Sequence, residues 1–152
     1  MKIYLVQHAE AKKEEEDPER GLTEKGIKDL KKIGNFIQKL NLKVSKIYHS
    51  GKKRANQTAE ILKEYLKLEN SVEKIDGIAP MDEPELIFEK IKNFNEDIII
   101  VGHLPNLSKI SSLLISGDKS KEIISFKMGS ILCLEKKEDF WVVNWFVKPD
   151  IL

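Results

Sequence analysis

The sequence is nearly devoid of cysteine: Cys133 is the single one in 152 residues. One cysteine excludes an intramolecular disulfide and argues against a cysteine-rich metal site. It stands in an apolar, strand-like run, so we interpret it as an inert buried thiol.

Long apolar runs are also missing. No stretch approaches the roughly 18 apolar residues of a membrane span, and the run at 3–6 is too short for a signal-peptide core. These absences favour the cytoplasm over secretion.

Neither sign of charge predominates. The chain has 26 basic and 25 acidic residues, with a formal net charge of +1. There is no large field to recruit nucleic acid or a membrane surface, so we expect neither as a partner. The acidic run at 14–17 is interpreted as solvated surface. A chain of 152 residues with 41% hydrophobic and 34% charged residues is typical of one globular domain, predicted here over 1–152.

Arginine is scarce in this lysine-rich chain. Only two of the 26 basic residues are arginine, Arg20 and Arg54. Arginine differs from lysine in its planar fork of donors, which grips phosphate or carboxylate with two hydrogen bonds. Two arginines against a lysine background therefore raise the question of which group each one holds.

The hydrophobic pattern predicts strands that alternate with amphipathic helices. Such alternation favours an α/β fold: a single-domain, three-layer α/β/α sandwich with a mostly parallel sheet and an antiparallel C-terminal hairpin. Thr23 is a predicted helix N-cap, and Pro84 suits a first helical turn. The predicted strands are 3–6, 44–48, 72–75, 98–101, 131–134 and 141–147, and the predicted helices are 24–40, 53–67, 84–94 and one that Pro105 starts. Inward-facing residues are predicted to be Ile27, Leu30, Ile33, Ile37 and Leu40 in the first helix, Ala55, Ala59, Leu62 and Leu66 in the second, Ile87, Ile91 and Phe94 in the third, and Leu107, Ile110 and Leu114 in the fourth.

Two of the three histidines occupy equivalent places in this pattern. His8 follows the first buried run, and His103 follows the run at 98–101. Ligands of open α/β sheets bind beyond the carboxyl ends of the strands. If these two strands are neighbours, both imidazoles reach one crevice.

The arginines are predicted to lie at the same edge of the sheet. Arg54 stands near the start of the second helix, where free N–H groups and a partial positive charge attract anions. Arg20 stands in the loop after the first strand. Two imidazoles and two guanidinium groups suit a phosphate, and a neutral imidazole is a competent nucleophile towards phosphorus.

Four segments, together spanning nearly the whole chain, match known motifs in order. They are Leu5-Val6-Gln7-His8-Ala9-Glu10-Ala11 for Arg-His-Gly/Ala, Arg20-Gly21-Leu22-Thr23-Glu24-Lys25-Gly26 for Arg-x-Leu-Thr-x-x-Gly, Ser50-Gly51-Lys52-Lys53-Arg54-Ala55-Asn56-Gln57-Thr58-Ala59 for Ser-Pro-x-x-Arg-Ala-x-Gln-Thr-Ala, and Val101-Gly102-His103-Leu104-Pro105-Asn106-Leu107 for Gly-His-Asn-Pro, with Met128-Gly129-Ser130 also fitting. In this order the segments resemble the motifs of the histidine phosphatase superfamily and of its compact SixA-type branch of phosphohistidine phosphatases.

The resemblance implies a phosphoglycerate mutase-like fold and a phosphatase that needs no metal or organic cofactor. It implies that His8 is the nucleophile, that Arg54 and His103 hold the phosphoryl oxygens, and that Arg20 adds a phosphate contact. The implied substrate is phosphohistidine on a protein, such as a histidine-containing phosphotransfer protein. A small phosphorylated metabolite remains an alternative.

Position 7 departs from the resemblance, because Gln7 stands where the superfamily has arginine. Gln7 still donates hydrogen bonds and stays a predicted substrate-binding residue, but it brings no charge. Hydrogen bonds to charged groups contribute about 1.5–3 kcal/mol, so the loss slows turnover roughly 10- to 100-fold unless Lys52 or Lys53 substitutes. A weakly active module that binds phosphohistidine proteins is therefore a further hypothesis.

Three polar residues have no assigned role in this scheme. Asp82 or Glu83 could supply a general acid, but we favour helix-capping roles for both. His49 matches no family position and is expected to be structural or exposed. The replacement of Ser-Pro by Ser50-Gly51 is expected mainly to alter loop stiffness.

Overall fold

The computed structural model describes all 152 residues of the chain. It contains a central sheet, four α-helices and a short terminal 3₁₀ turn at Pro149–Ile151. No helix is both long and apolar enough to cross a membrane. The strands are β1 (Lys2–Gln7), β2 (Lys46–His49), β3 (Glu73–Lys74), β4 (Ile98–Gly102), β5 (Ile131–Lys137) and β6 (Phe140–Val147), and the helices are α1 (Glu24–Lys39), α2 (Lys53–Leu66), α3 (Pro84–Ile91) and α4 (Asn106–Ser116).

The six strands form one mixed sheet in the order β3-β2-β4-β1-β5-β6. The first four strands in this order are parallel, and β5 and β6 add an antiparallel edge. The predicted fold class is therefore confirmed. For function, the decisive pairing joins β1 to β4 in parallel, with Gln7 opposite Gly102. The residues that follow these two strands start from adjacent positions on one edge of the sheet.

Helices cover both faces of the sheet, as the fully buried strands β1 and β4 require. On one face, α1 and α2 pack over Tyr4, Val6, Ile99 and Val101. On the other, α3 and α4 pack over the alternate residues of the same strands, among them Leu5 and Ile100. The sheet is thus packed between two apolar layers. This packing fixes the positions of the residues at the carboxyl ends of its parallel strands.

Most of the predicted inward-facing residues are buried, but four are not fully enclosed. In α1, Leu30, Ile33 and Ile37 are buried, whereas Ile27 is 50% exposed and Leu40 is 44% exposed. Both lie outside the stripe that faces the sheet. In α2, Leu66 is only half-buried. Phe94 lies beyond the end of α3, where its ring stacks on Tyr48 with centroids 5.5 Å apart.

Gly26 allows α1 to begin directly against the loop that follows β1. Thr23 caps the helix by accepting a hydrogen bond from the Gly26 N–H, as predicted. A Cβ on Gly26 would lie 2.4 Å from the carbonyl oxygen of Glu10. Since Glu10 also accepts the Thr23 N–H, this backbone contact leaves no room for a side chain.

Replacing Gly26 by alanine is expected to destabilise the protein by about 2 kcal/mol, because backbone cannot move away as a flexible side chain would. At this chain length the change lowers Tm by roughly 4–8 °C. Thermal denaturation followed by circular dichroism measures it. The control is Lys28→Ala on the exposed side of the same helix, which we expect to change stability by less than about 0.5 kcal/mol. An unchanged Tm for Gly26→Ala would contradict the contact.

Candidate active site

The carboxyl ends of β1 and β4 bring two imidazoles together. The ring centroids of His8 and His103 lie 5.0 Å apart with the planes tilted by 48°. The backbone N–H of His8 donates to the backbone carbonyl of Gly102, so the pairing of β1 with β4 continues for one more residue. Both rings are enclosed, with His8 7% and His103 1% exposed. The expectation that the two histidines share one place is met because their strands are neighbours.

The tautomer of His8 follows from its hydrogen bond. Nδ1 lies 2.7 Å from the carbonyl oxygen of Ala9. A carbonyl only accepts, so Nδ1 carries the proton and Nε2 keeps its lone pair. Burial, with contributions from the charges of Arg54 and Arg20, lowers the pKa of His8 to about 4 from its ordinary value of 6.5. The ring is therefore neutral near pH 7, and its Nε2 carries an unprotonated lone pair.

His103 is held by the serine that begins the turn after β2. The Ser50 hydroxyl lies 2.6 Å from Nε2 of His103, and it also accepts the N–H of Lys52 at 3.3 Å. Nδ1 of His103 is buried without a hydrogen-bond partner. Burial lowers the pKa of His103 to about 3, with further contributions from His8, Arg54, Lys52 and Arg20. The positive charges near this ring thus outweigh the negative ones.

Arg54 lies in the first turn of α2, which carries no acidic residue. Its carbonyl accepts the hydroxyl of Thr58, and the same hydroxyl oxygen accepts the N–H of Ala9. Thr58 thereby connects the start of α2 to the residue after His8. The guanidinium Nε of Arg54 is buried without a partner, and burial and the charge of Arg20 lower its pKa. The protein itself supplies no counterion to this group.

Arg20 reaches the same region from the loop after β1. Its backbone has a φ of 55°, and its Nε donates to the carbonyl of Lys12 at 3.0 Å. The side chain is half-buried. Its charge contributes to the lowered pKa values of His8, Arg54 and His103. The charges of both arginines therefore act on the histidine pair.

Gln7 is the last residue of β1 and is 8% exposed. Its backbone is fixed on both sides, since its N–H donates to Ser130 and its carbonyl accepts from Gly129. The side-chain Oε1 is buried without a hydrogen-bond partner. An amide in this environment is oriented and poorly hydrated, but it adds no positive charge.

These atoms form an uncompensated positive centre with donors that lack acceptors. The charges of two guanidinium groups act on two imidazoles, and no carboxylate is bonded to any of the four side chains. Such an arrangement stabilises an anion that carries several acceptor oxygens. No group of three His, Cys, Asp or Glu side chains is placed as a metal ion would require.

A family model for the histidine phosphatase superfamily (branch 1) matches residues 3–82 of this chain. That segment contains β1, Arg20, the turn after β2 and Arg54. The chain belongs to the histidine phosphatase superfamily.

Similar proteins agree with this membership in the superfamily. A relative called phosphohistidine phosphatase SixA, from Escherichia coli, is 20% identical over 98% of this chain and 94% of its own length. Among solved structures, the protein histidine phosphatase SixA complexed with tungstate matches with a TM-score of 0.88, 20% identity and coverage of 99% of both chains. The alpha-ribazole phosphatase from Shigella flexneri matches with a TM-score of 0.81 and 14% identity over 98% of this chain and 97% of that one. The resemblance to the SixA type is confirmed, and a superfamily hydrolase is the supported activity class.

The histidine phosphatase motif also contains positioning residues that sequence reasoning did not single out. Ser50 bonds to His103. Thr58 accepts the N–H of Ala9 in the loop after His8. Gln57 accepts the N–H of Leu22 at 2.8 Å and so holds the loop that carries Arg20. All three lie within the motif quoted for residues 50–59, so their place in that motif was the available signal. Their bonding partners depend on the tertiary structure.

The unassigned polar residues form no side-chain bonds to the two imidazoles or to the two arginines. His49 is buried, and its Nδ1 accepts the N–H of Gly51 at 3.0 Å, so it is structural. The expectation that Asp82 and Glu83 cap α3 is wrong. Glu83 occupies the N-cap position without a side-chain cap bond and pairs with Lys119 instead, whereas Asp82 closes the preceding turn on the Ala79 N–H.

A sizeable cavity lies away from this site. It has a volume of about 520 Å³ and lies between α3, α4 and the β5–β6 hairpin, with Phe88 and Trp141 in its lining. Cys133 is also remote from the chemistry: it is buried in β5, and burial raises the pKa of its thiol to about 11. The site is therefore recognised by its charges and imidazoles rather than by its volume.

Stability is expected to depend on pH through the two buried imidazoles. Their pKa values are about 4 and about 3 in the folded protein, against 6.5 for ordinary histidine. Between about pH 4 and 6.5 the unfolded chain therefore binds protons that the folded chain does not. The free energy of unfolding rises with pH across this window and falls on acidification.

Because carboxylates titrate in the same range, the informative quantity is the difference between variants. We expect His103→Asn to show a shallower loss of stability from pH 6.5 to 4.5 than the wild type, measured by urea denaturation at several pH values. Equal slopes would show that His103 is not held neutral in the folded state.

Proposed function

We propose that this chain removes phosphate from phosphohistidine on a protein through a covalent phosphohistidine at His8. The observation that carries the proposal is the hydrogen bond between Nδ1 of His8 and the Ala9 carbonyl, 2.7 Å long. It leaves the lone pair of Nε2 unprotonated, on a ring whose centroid lies 5.0 Å from that of His103 and on which the charges of Arg54 and Arg20 act. A nucleophile next to preorganised cations and donors is the arrangement that phosphoryl transfer requires.

The reaction proceeds in two displacements. In the first, Nε2 of His8 attacks phosphorus, the bond between phosphorus and the substrate nitrogen breaks, and the departing imidazole keeps the electron pair and takes up a proton. In the second, water attacks the phosphorus on His8, the new N–P bond breaks, and inorganic phosphate leaves. His8 returns to its starting state, so atoms and charge balance over the cycle.

The surrounding residues stabilise the charge on the transferring group. Arg54 grips two phosphoryl oxygens with its fork of donors. His103 donates a ring N–H to the same group and is kept in place by Ser50. Arg20 adds a contact from the loop after β1, and Gln7 donates its amide. No metal is needed in this scheme, because two guanidinium groups and the N–H donors neutralise the phosphoryl oxygens.

The choice of phosphohistidine over an ester is supported by the bonding of the two carboxylates considered as the general acid. The carboxylates considered for this role, Asp82 and Glu83, are engaged with Ala79 and Lys119. An alkoxide leaving group needs a proton donor, whereas an imidazole is a better leaving group. The E. coli relative is named a phosphohistidine phosphatase, which supports the same class of substrate.

The test offers the protein two substrates in parallel, with and without EDTA. One is a phosphorylated histidine-phosphotransfer protein, and the other is glycerol 2-phosphate, an alkyl ester whose leaving group is an alkoxide. We expect fast release from the protein, slow release from the ester, and no effect of EDTA. Preferential release from the ester would favour a small-molecule phosphomonoesterase and overturn the proposal.

A second candidate is a module that binds phosphohistidine proteins with little turnover. The specific observation in its favour is Gln7, an uncharged residue at a position where the superfamily has arginine. Saturable binding of the phosphorylated protein, without phosphate release over hours, would establish this candidate in place of the enzyme.

A further inference from the structure

A lysine in the turn after β2 has no counterion and is connected through its backbone to the serine that holds His103. Lys52 is exposed. Its backbone N–H donates a hydrogen bond to the Ser50 hydroxyl, and that hydroxyl also bonds to His103. Its charge is close enough to contribute to the lowered pKa of His103. Nothing in the structure forms an ion pair with it. The ammonium group is therefore available to an anion at the site.

The neighbouring lysine is not available in the same way. Lys53 pairs with Glu19 at 3.2 Å and with Asp17 at 3.7 Å. These contacts tie the start of α2 to the loop that carries Arg20. Of the two lysines that could substitute for a missing arginine, only Lys52 is uncommitted.

The turn itself has a backbone that proline would forbid. Gly51 has a φ of +94°, whereas proline is restricted to a φ near −65°. The superfamily motif has proline at this position, so the backbone of this turn differs from one built on Ser-Pro. Glycine at position 51 therefore changes more than the stiffness of the loop. Its backbone conformation also determines the path of the chain into Lys52.

We propose that Lys52 binds the phosphoryl oxygens and supplies the positive charge that Gln7 does not. The inference rests on the proposed function, because it concerns the same anion. Lysine is a flexible point charge and lacks the planar fork of arginine. It can therefore supply the positive charge of the arginine that the superfamily has at position 7, but not the two-point hydrogen bonding of that arginine. Lys52, which occupies an unrestricted position of the motif, thereby compensates for the departure at Gln7.

The first experiment measures anion binding alone. Inorganic phosphate, and tungstate as a second probe, are titrated calorimetrically into the wild type, Lys52→Ala and Lys43→Ala. Lys43 is exposed and precedes β2 at the opposite end of the strand, so its variant removes the same charge far from the site. We expect Lys52→Ala to weaken binding about 10-fold and Lys43→Ala to leave it unchanged. Equal affinities for the two variants would overturn the proposal.

The second experiment tests the compensation through a double-mutant cycle. Gln7→Arg is combined with Lys52→Ala, and phosphate affinity and kcat/KM are measured for all four proteins. We expect Gln7→Arg to recover most of the affinity lost in Lys52→Ala and to improve the wild type less. Equal effects of Gln7→Arg in both backgrounds would show that the two positions are independent.

The binding readout separates this inference from the proposed function. If no substrate is hydrolysed but Lys52→Ala still weakens phosphate binding selectively, the proposed enzyme fails and the role of Lys52 stands. If hydrolysis of phosphohistidine is fast and Lys52→Ala behaves as Lys43→Ala does, the enzyme stands and the role of Lys52 is wrong.

Discussion

Replacing His8 by alanine is expected to lower the turnover of phosphohistidine by about 10⁴-fold or more, since the group that forms the covalent intermediate is lost. Arg54, Arg20 and His103 remain, so binding of inorganic phosphate should persist within about 10-fold. Turnover is followed by phosphate release from the phosphorylated protein, and binding by calorimetry.

A trapping experiment strengthens this test. During turnover, the wild type should carry a phosphoryl group that is stable in base and labile in acid, located on the peptide that contains His8. His8→Ala should carry none. Full activity of His8→Ala, or a label on another residue, would remove His8 as the nucleophile and leave the two-displacement scheme without support.

Replacing Arg54 by glutamine is expected to lower kcat by about 10²–10³-fold, the size of effect seen when one preorganised donor to a developing charge is removed. Arg54→Lys should recover little of this loss, because an ammonium cannot bind two oxygens with one planar fork. Arg20→Gln serves as the comparison. Its side chain is half-exposed and already bonded to Lys12, so we expect a smaller loss of about 10-fold.

The Arg54 variants should also separate function from stability. Burial and the nearby Arg20 both disfavour the charged form of Arg54 in the folded protein. Removing that charge is therefore expected to leave Tm unchanged or higher while activity falls. A parallel fall in Tm and activity would indicate that Arg54 supports the fold rather than the phosphoryl group.

Several features of the fold could be predicted because they depend on local pattern. The strand at β4 is a continuous apolar run, and α2 places apolar residues at helical spacing. The observed bounds, Ile98–Gly102 and Lys53–Leu66, agree with those predictions to within a residue. Thr23 was recognised as a cap because its role involves only residues three positions apart.

Other features escaped prediction because they involve distant segments. The exposure of Ile27 depends on where α1 meets the sheet, and no periodicity within the helix contains that information. The capping roles expected for Asp82 and Glu83 were wrong because each side chain has another partner. Asp82 accepts the N–H of Ala79, and Glu83 pairs with Lys119. The bond between Ser50 and His103 joins residues 53 positions apart.

The sequence by itself determined which elements form and which chemical groups follow them: a histidine after each of two buried strands, and two arginines in a chain that otherwise uses lysine. The tertiary structure alone decided that β1 and β4 are neighbours, that both imidazoles are neutral, and that Lys52 rather than Lys53 is free. The physical reason is that burial, hydrogen bonding and Coulomb interactions depend on distances through space, and those distances exist only once the segments pack around one sheet.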